Sequence, residues 1–530
     1  MNNTTADMAY NVNLSSLNQS ATPRSTQSTT PVSVSEWHRA LTLIDISGVV
    51  NRVEEWSAED GAAGRSVPIS TRHVLAAGIV LALEGQNPTP FNVTGLLHGR
   101  LIPTTRELLG LPESFAEMGR SRVYVWVLRV ATRISDTMDA YPLSTRRGAA
   151  LTKREREGIV AVRQERSVEL EAKRRRFVEL ANRLVGAQYE MLPARYRAGR
   201  VSVAIGARFR SANAHGISPL RQRVLSPDAS VSVEPDAAFH VSARAPHARP
   251  RTGYGWEDEL AVLIPNDPSR ADSVPPIVIG FNSHRPAHGL ARSACEVLQH
   301  IAEHGPGLDH VVLDRAYMNT RPELLRAPLH TLGAKLVGDY ALSRLGLQDA
   351  VDGRILVEGT WYDASMPELL QNAVKAARGA CAHAKHNSDG TPARLDDLIA
   401  ARAAFALRPK DPTGAGADMV RGEQHYPYQS PRWRAVHTAG RRAIKEHLTA
   451  EDTYRSRAGA PGVRGATTRA LFSVFNVIGT NAQIIRDFEA SFPTIDRRVR
   501  HAQPRPVMIT RTARTVPCPH KTNTAGVAGR

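Results

Sequence analysis

The spacing of apolar residues changes character at Pro193, and this limits the possible fold more than any single motif does. Before it, apolar residues recur every three or four positions, the period of helices buried on one side. After it they gather into short β-branched runs, Val201 to Ile205, Val231 to Val233, Leu260 to Ile264, Ile277 to Ile279 and Val311 to Leu313, set apart by Pro, Gly, Asp and Asn. Such runs read as buried strands. Between the last two, LARSACEVLQHI has helical spacing. Helices first, then strands with a helix among them, imply an α/β protein whose functional groups collect at strand ends.

The chain divides accordingly. Residues 1–35 are rich in Asn, Ser and Thr and offer too little apolar surface to offset ordering, so they read as a disordered leader. Residues 36–195 read as a helical region. Within it TRHVLAAGIVLAL spans Thr71 to Leu83, and Thr89 with Pro90 supplies an N-cap and first-turn proline for a following helix. Helix, turn, helix is the shape of a DNA-reading motif and also of plain packing. Leu151 to Leu184 reads as a long helix or helix pair with Glu and Arg/Lys in blocks. Its cationic cluster Lys173, Arg174, Arg175 and Arg176 suits either a salt-bridged face or phosphate contact.

Residues 196–490 form the expected α/β core, with further strands in Leu332 to Tyr340 and Gly353 to Tyr362. An insertion over about 341–429 precedes a helix that Ser430 and Pro431 begin, and Thr467 to Phe488 is a strongly apolar helix. Residues 491–530 read as a flexible basic tail.

Charge and cysteine content narrow the function. There are 68 Lys+Arg against 51 Asp+Glu, a formal charge of +17 over 530 residues, which favours a polyanionic partner through counterion release. Cys295, Cys381 and Cys518 are too few and too scattered for a disulfide framework, pointing to a reducing, cytoplasmic setting near the nucleoid. No stretch is long and apolar enough for a membrane span, and no Walker or GxGxxG loop suggests a nucleotide cofactor. Cys381, His383 and His386 are close enough for zinc but lack a second ligand pair.

Two acids carry the chemistry. Asp314 closes the buried run Val311-Val312-Leu313, and Glu446 lies on the flank of the helix SPRWRAVHTAGRRAIKEHL, four residues from Arg442. An acid from a strand end and another from a distant helix can hold a divalent metal for phosphoryl transfer. They can equally be a strand cap and an ordinary Arg442–Glu446 surface pair.

The order of TRHVLAAGIVLALEG, GLLHGRLIPTTRELLGLP, VSVAIGARF, PDAAFHVSA, GWEDELAV, HVVLDRAYMN, GAKLVGDY, ILVEGTWYDASMPE, YQSPRWRAVHTAGRRAIKE and GVRGATTRALFSVFNVIGTNAQII resembles actinobacterial insertion-sequence transposases of the DDE type. That resemblance spans roughly residues 70–488. It implies an RNase H-like mixed sheet flanked by helices, an all-α N-terminal region and a long insertion before the last catalytic helix. It further implies three acids holding two Mg²⁺ (or Mn²⁺) ions for in-line displacement at phosphorus, double-stranded DNA ends and target as partners, and a homodimer that pairs two ends. Asp314 and Glu446 would be two of the acids; the charge pattern, rather than the resemblance, offers Arg442 and Lys173 to Arg176 as DNA contacts. The first acid belongs on the strand VSVAIGARF, where this chain has Gly206, and Asp236 in VEPDAAFH is the nearest substitute. The resemblance therefore implies a transposase, with a catalytically silent DNA-binding relic or a Mg²⁺-dependent nuclease on the same core as alternatives.

Overall fold

The computed structural model describes residues 30–61, 67–142, 150–212, 216–217, 219–234, 236–242, 251–270, 273–286, 289–383, 395–407, 424–458 and 463–491. Nearly all of the expected leader, the tail beyond 491, His386 and the side chains of Cys381 and His383 lie outside this description.

The helical region opens at Val34, where Ser33 and Glu36 form a reciprocal capping box that satisfies the free N–H groups of the first turn. Helices α1 (Val34–Ser47), α2 (Val49–Glu59), α3 (Thr71–Leu83), α4 (Pro90–Gly99), α5 (Pro103–Leu108) and α6 (Arg120–Asp136) follow. As the sequence implied, Thr89 caps α4 by accepting a 3.1 Å hydrogen bond from Asn92 N. Ten of the thirteen residues of α3, Thr71 and the run Val74–Ala82, are buried, so this helix is the centre of the bundle. The charged segment is a helix pair: after the short strand β1 (Leu151–Thr152), α7 (Lys153–Glu165) breaks at Arg166 into the long α8 (Ser167–Glu190). One continuous apolar core runs from Trp37 and Leu75 through Leu184 to Val203, Leu260 and Val311, so the helical region and the α/β region are joined by burial.

Chain order then gives β2 (Val201–Ser211), α9 (Pro219–Val224), β3 (Ser230–Ser232), β4 (Ala238–Ser242), β5 (Arg251–Ile264), β6 (Val278–His284), α10 (Leu290–His304) and β7 (Leu308–Leu313). Beyond β7 come α11 (Arg315–Met318), α12 (Arg326–Thr331) and β8 (Lys335–Gly338). The protein is a mixed α/β structure around a mixed six-stranded sheet. Strands β2, β5 and β6 are successively antiparallel, α10 crosses over, and β7 and β8 run parallel to β2, giving the order β6-β5-β2-β7-β8 with β4 beside the first half of β5.

The sheet's two flanks are finished by carboxamide side chains. On β6, Asn182 of α8 bonds both N and O of Phe281, each at 2.9 Å. Asn481 does the same for Val278, at 2.9 and 2.7 Å. On β8, Gln424 takes both backbone groups of Gly338 at 2.9 and 2.7 Å. Buried backbone groups need partners, and these amides supply them where the ladder ends.

The insertion carries a small antiparallel sheet, β9 (Leu347–Val351), β10 (Arg354–Val357) and β11 (Thr360–Asp363), then α13 (Glu368–Gln371), α14 (Ala373–His383) and α15 (Leu395–Ala401). The run Gly353 to Tyr362, expected as one strand, is a hairpin because Glu358 and Gly359 take positive φ values of 48° and 78° and reverse the chain. Its own small core of Ile355, Val357, Tyr362, Met366 and Leu370 is pinned by the buried Arg402–Glu358 pair at 2.6 Å.

Two long helices close the fold, α16 (Pro431–Ala458) and α17 (Ala466–Ser491). Helix α16 lies on the sheet through Trp433, Val436, Gly440, Ala443, His447 and Glu451, all buried at helical spacing, and further along Tyr454 turns to α3, donating to Ala82 O at 2.9 Å. A Cβ at Gly440 would stand 2.8 Å from Val312 Cγ1, so only glycine lets the helix come this close to β7.

Candidate functional site

The register Val203↔Val311 and Ala204↔Val312 continues to place Gly206 beside Asp314, on the sheet face that α16 covers. The two neighbouring strand ends differ sharply. At the β2 end, the residues facing α16 are Gly206, Arg208 and Arg210. The helix meets them with Ile444, whose Cγ2 would be 3.1 Å from a Cβ on Gly206, and with two acids. Asp452 pairs with Arg208 and Glu451 with Arg210. Arg210 also donates to Asp258 at 2.8 Å, and Arg469 of α17 reaches Asp258 at 3.3 Å and Ser283 Oγ at 2.6 Å. Glu451 and Asp258 have no accessible surface. Burial alone would push Asp258 up, but the Arg469 and Arg210 guanidiniums overcome it and hold the carboxyl down to about 2. This end of the sheet is sealed by ion pairs.

At the β7 and β8 ends the surface opens into a cleft of about 590 Å³. Asp314 follows β7 and caps α11, accepting from Ala316 N at 2.9 Å. Asp339 follows β8 in the same way, its amide bonded to Leu313 O at 3.1 Å. Four donors converge on Asp339: Arg315 at 2.7 Å, Arg378 at 2.9 Å, the Tyr428 hydroxyl and the Tyr340 N–H at 3.0 Å. Burial opposes its ionisation, and the hydrogen bonds from Tyr428, Arg315 and Arg378 win, keeping the carboxyl below its ordinary range. The far wall is a stripe of α16, Arg434, His437, Thr438 and Arg441, at the i, i+3, i+4, i+7 spacing of one helix face. His437 stacks on Trp433 with centroids 4.4 Å apart. Burial drives its imidazole down to about 4, with Asp339 opposing and Arg441, Arg378 and Arg315 adding to the effect. The cleft wall thus holds four arginines and two carboxylates; Arg315 and Arg378 pair with Asp339, and Arg434 pairs with Asp396 of α15 at 2.7 Å.

The acids read from the sequence do not line one cavity. Asp314 lines this cleft. Glu446 stands two residues past Ile444, about 200° round the helix, where it is 51% exposed and pairs with Arg442 at 3.4 Å. That is the surface pair the spacing allowed. Asp236 lines a different cavity, held by both terminal nitrogens of Arg163. Among the described residues no group of three or more His, Cys, Asp or Glu is placed to hold a metal ion. The residues at Gly206, Asp314, Glu446 and Asp236 therefore do not fit a two-metal centre.

The expected DNA cluster is likewise engaged. Lys173 bonds Asp136 O at 2.9 Å, Arg174 bridges Glu171 and Glu296, and Arg176 holds Glu59, Asp60 and Thr137 O. Arg175, 75% exposed, points outward beside Glu171. These cations tie α8 to α2, α6 and α10.

The chain matches no protein-family model and no curated protein.

Sequence reasoning passed over Asp339, although KLVGD repeats the signal of HVVLD, an apolar strand run ending in aspartate. It also passed over the Arg208 and Arg210 pairing with Glu451 and Asp452, which no local spacing reveals because more than 240 positions separate the partners.

Proposed function

We propose that this protein is a DNA-binding protein on an RNase H-like, transposase-related scaffold, in which the strand-cutting centre has been replaced by internal ion pairs. An antiparallel meander, a crossover helix, two strands parallel to the first and a helix laid over the sheet after an insertion support the RNase H-like reading. The single observation that carries the functional reading is the helix-facing side of β2. Where the resemblance asks for a carboxylate it presents Gly206, then Arg208 and Arg210, and α16 covers them with Ile444, Asp452 and Glu451. A hard cation needs clustered oxygen ligands, and this strand offers cations already neutralised.

DNA contact falls to the exposed stripe of α16. Arg434, Thr438, Arg441 and Lys445 recur at three- and four-residue intervals beside a cleft rich in guanidinium groups. Arg441 and Lys445 are exposed, and both can contact phosphate oxygens. Binding on this account is electrostatic, weakly sequence-dependent and steeply salt-dependent.

The test pairs two measurements on the full chain. Duplex DNA is titrated by fluorescence anisotropy at several salt concentrations, and supercoiled plasmid is incubated with Mg²⁺ or Mn²⁺. The expected outcome is binding that weakens with salt and no nicking, with Asp314→Ala indistinguishable from wild type in both. Metal-dependent nicking that Asp314→Ala abolishes would overturn the silent-site reading and restore strand transfer or nuclease activity. Absence of DNA binding at low salt would overturn the reading altogether.

A further inference from the structure

A second cavity, remote in chemistry from the cleft, lies under α7. That helix has no buried residue. Its inward stripe, Arg156, Ile159, Val160 and Arg163, again at i, i+3, i+4, i+7, faces a cavity of about 220 Å³ rather than a packed core. Tyr141, Leu170, Asp236 and Arg285 form the other walls.

The cavity is amphipathic. Ile159, Val160 and Leu170 give one apolar side. The polar side holds three arginines and a single carboxylate, and that carboxylate is spoken for: Asp236 accepts from both terminal nitrogens of Arg163, which also donates to Pro142 O at 3.2 Å and sits 5.6 Å from the Tyr141 ring centroid. The Nε of Arg285 is buried and has no hydrogen-bond partner among the described residues, and the same is true of the Nε of Arg163. A buried cationic donor without an acceptor is costly, so an acceptor at this wall is strongly favoured.

We infer that this cavity binds a small organic carboxylate with an apolar body, its oxygens on Arg285 and its ring or branched chain against Ile159, Val160 and Leu170. The planar guanidinium fork matches a carboxylate. The volume equals about seven waters at about 30 Å³ each, room for one six-membered ring acid and far too little for a nucleic-acid strand. A bare inorganic anion would leave the apolar side uncovered. The bound acid would also fasten α7, whose start is tied down by β1 pairing with β3 and whose remaining length rests on this cavity. The inference is independent of the DNA reading.

Sodium benzoate is the probe, titrated into the full chain by calorimetry and followed by thermal unfolding. Saturable binding with a rise in Tm is expected, with no response to benzamide, which has the ring without the charge, or to inorganic phosphate, which has charge without a ring. Arg285→Gln should weaken benzoate binding about tenfold or more. Val160→Trp should abolish it by filling the cavity from a side chain that is 43% exposed and so tolerant of change. Hydrogen exchange across residues 153–165 should slow with benzoate in wild type alone. No saturable response, an equal response to benzamide or phosphate, or wild-type affinity in either folded variant would overturn the proposal.

Discussion

Two ends of one sheet, under one helix, have opposite fates. At β2 the helix α16 comes down onto Gly206 through Ile444 and closes the strand end with Arg208–Asp452 and Arg210–Glu451. Beyond the ends of β7 and β8, past the close contact at Gly440, it leaves a cleft walled by Asp314, Asp339, Arg434 and Arg441. Similar residue types are at work in both places. The difference is one of burial: at β2 Arg210, Glu451 and Asp258 are covered by the helix, whereas at the cleft Asp339 is paired with Arg315 and Arg378, Arg434 with Asp396, and Arg441 stays exposed, which teaches how much of the charge of a very basic protein is spent on internal pairing. The cluster from Lys173 to Arg176 makes the same point, being conspicuous in the sequence and mostly consumed in holding α8 to its neighbours.

The comparison breaks most readily at the sealed end. Arg210→Ala would leave Glu451 and Asp258 buried with fewer partners, and should cost about 3–5 kcal/mol in chemical denaturation; a loss under about 1 kcal/mol would show that the seal is not structural. Protonation probes the same place. His447 is fully buried, and burial drives its imidazole down to about 4 from an ordinary 6.5. The unfolded chain therefore takes up this proton first, so its contribution to stability is present above about 6.5 and is lost as the pH falls towards about 4. Stability measured across that window should decline in wild type and decline less in His447→Gln; parallel curves would exclude this residue.

Smaller effects sharpen the contrast. Arg174→Ala, which severs the α8 bridge to Glu296, should cost about 1 kcal/mol without altering the salt dependence of DNA binding. The paired change Arg434→Gln with Arg441→Gln should do the reverse: unfolding within about 0.5 kcal/mol of wild type, and a log–log salt slope for DNA shallower by about 2. An unchanged slope would remove the cleft stripe from the interface. Glu446→Gln should be nearly silent, within about 0.5 kcal/mol and with unaltered DNA affinity, as befits one half of an exposed pair.

What could be read from the sequence was whatever short-range physics fixes. The helices beginning at Thr71 and Pro90, the strand ending at Leu313 and the start of α16 after Ser430 all follow from caps, prolines and apolar spacing within a few residues. The hairpin at Glu358 and Gly359 was hidden because a lone glycine after glutamate, without the Asn-Gly or Asp-Gly pair typical of tight turns, is all that marks the reversal. Asp314 was legible as a strand-closing acid, but its neighbours were not. Asp339 and Arg441 become adjacent to it only once β8 and α16 are laid beside β7. Glu446 shows the limit from the other side: helical periodicity put it correctly on a flank, yet which flank faces the strand end depends on Gly440 and Ile444 seating the helix.

The amide side chains that finish β6 and β8 bear on how copies of this chain can assemble. A bare strand margin is a template on which another polypeptide can add a strand, the usual route to fibres and exchanged dimers. Here Asn182, Asn481 and Gln424 already occupy donor and acceptor sites at Phe281, Val278 and Gly338. Any self-association that extends the sheet at those points must first evict a carboxamide that hydrogen-bonds as a peptide does, so oligomers of this protein are steered towards side-chain surfaces and away from β-ladder growth.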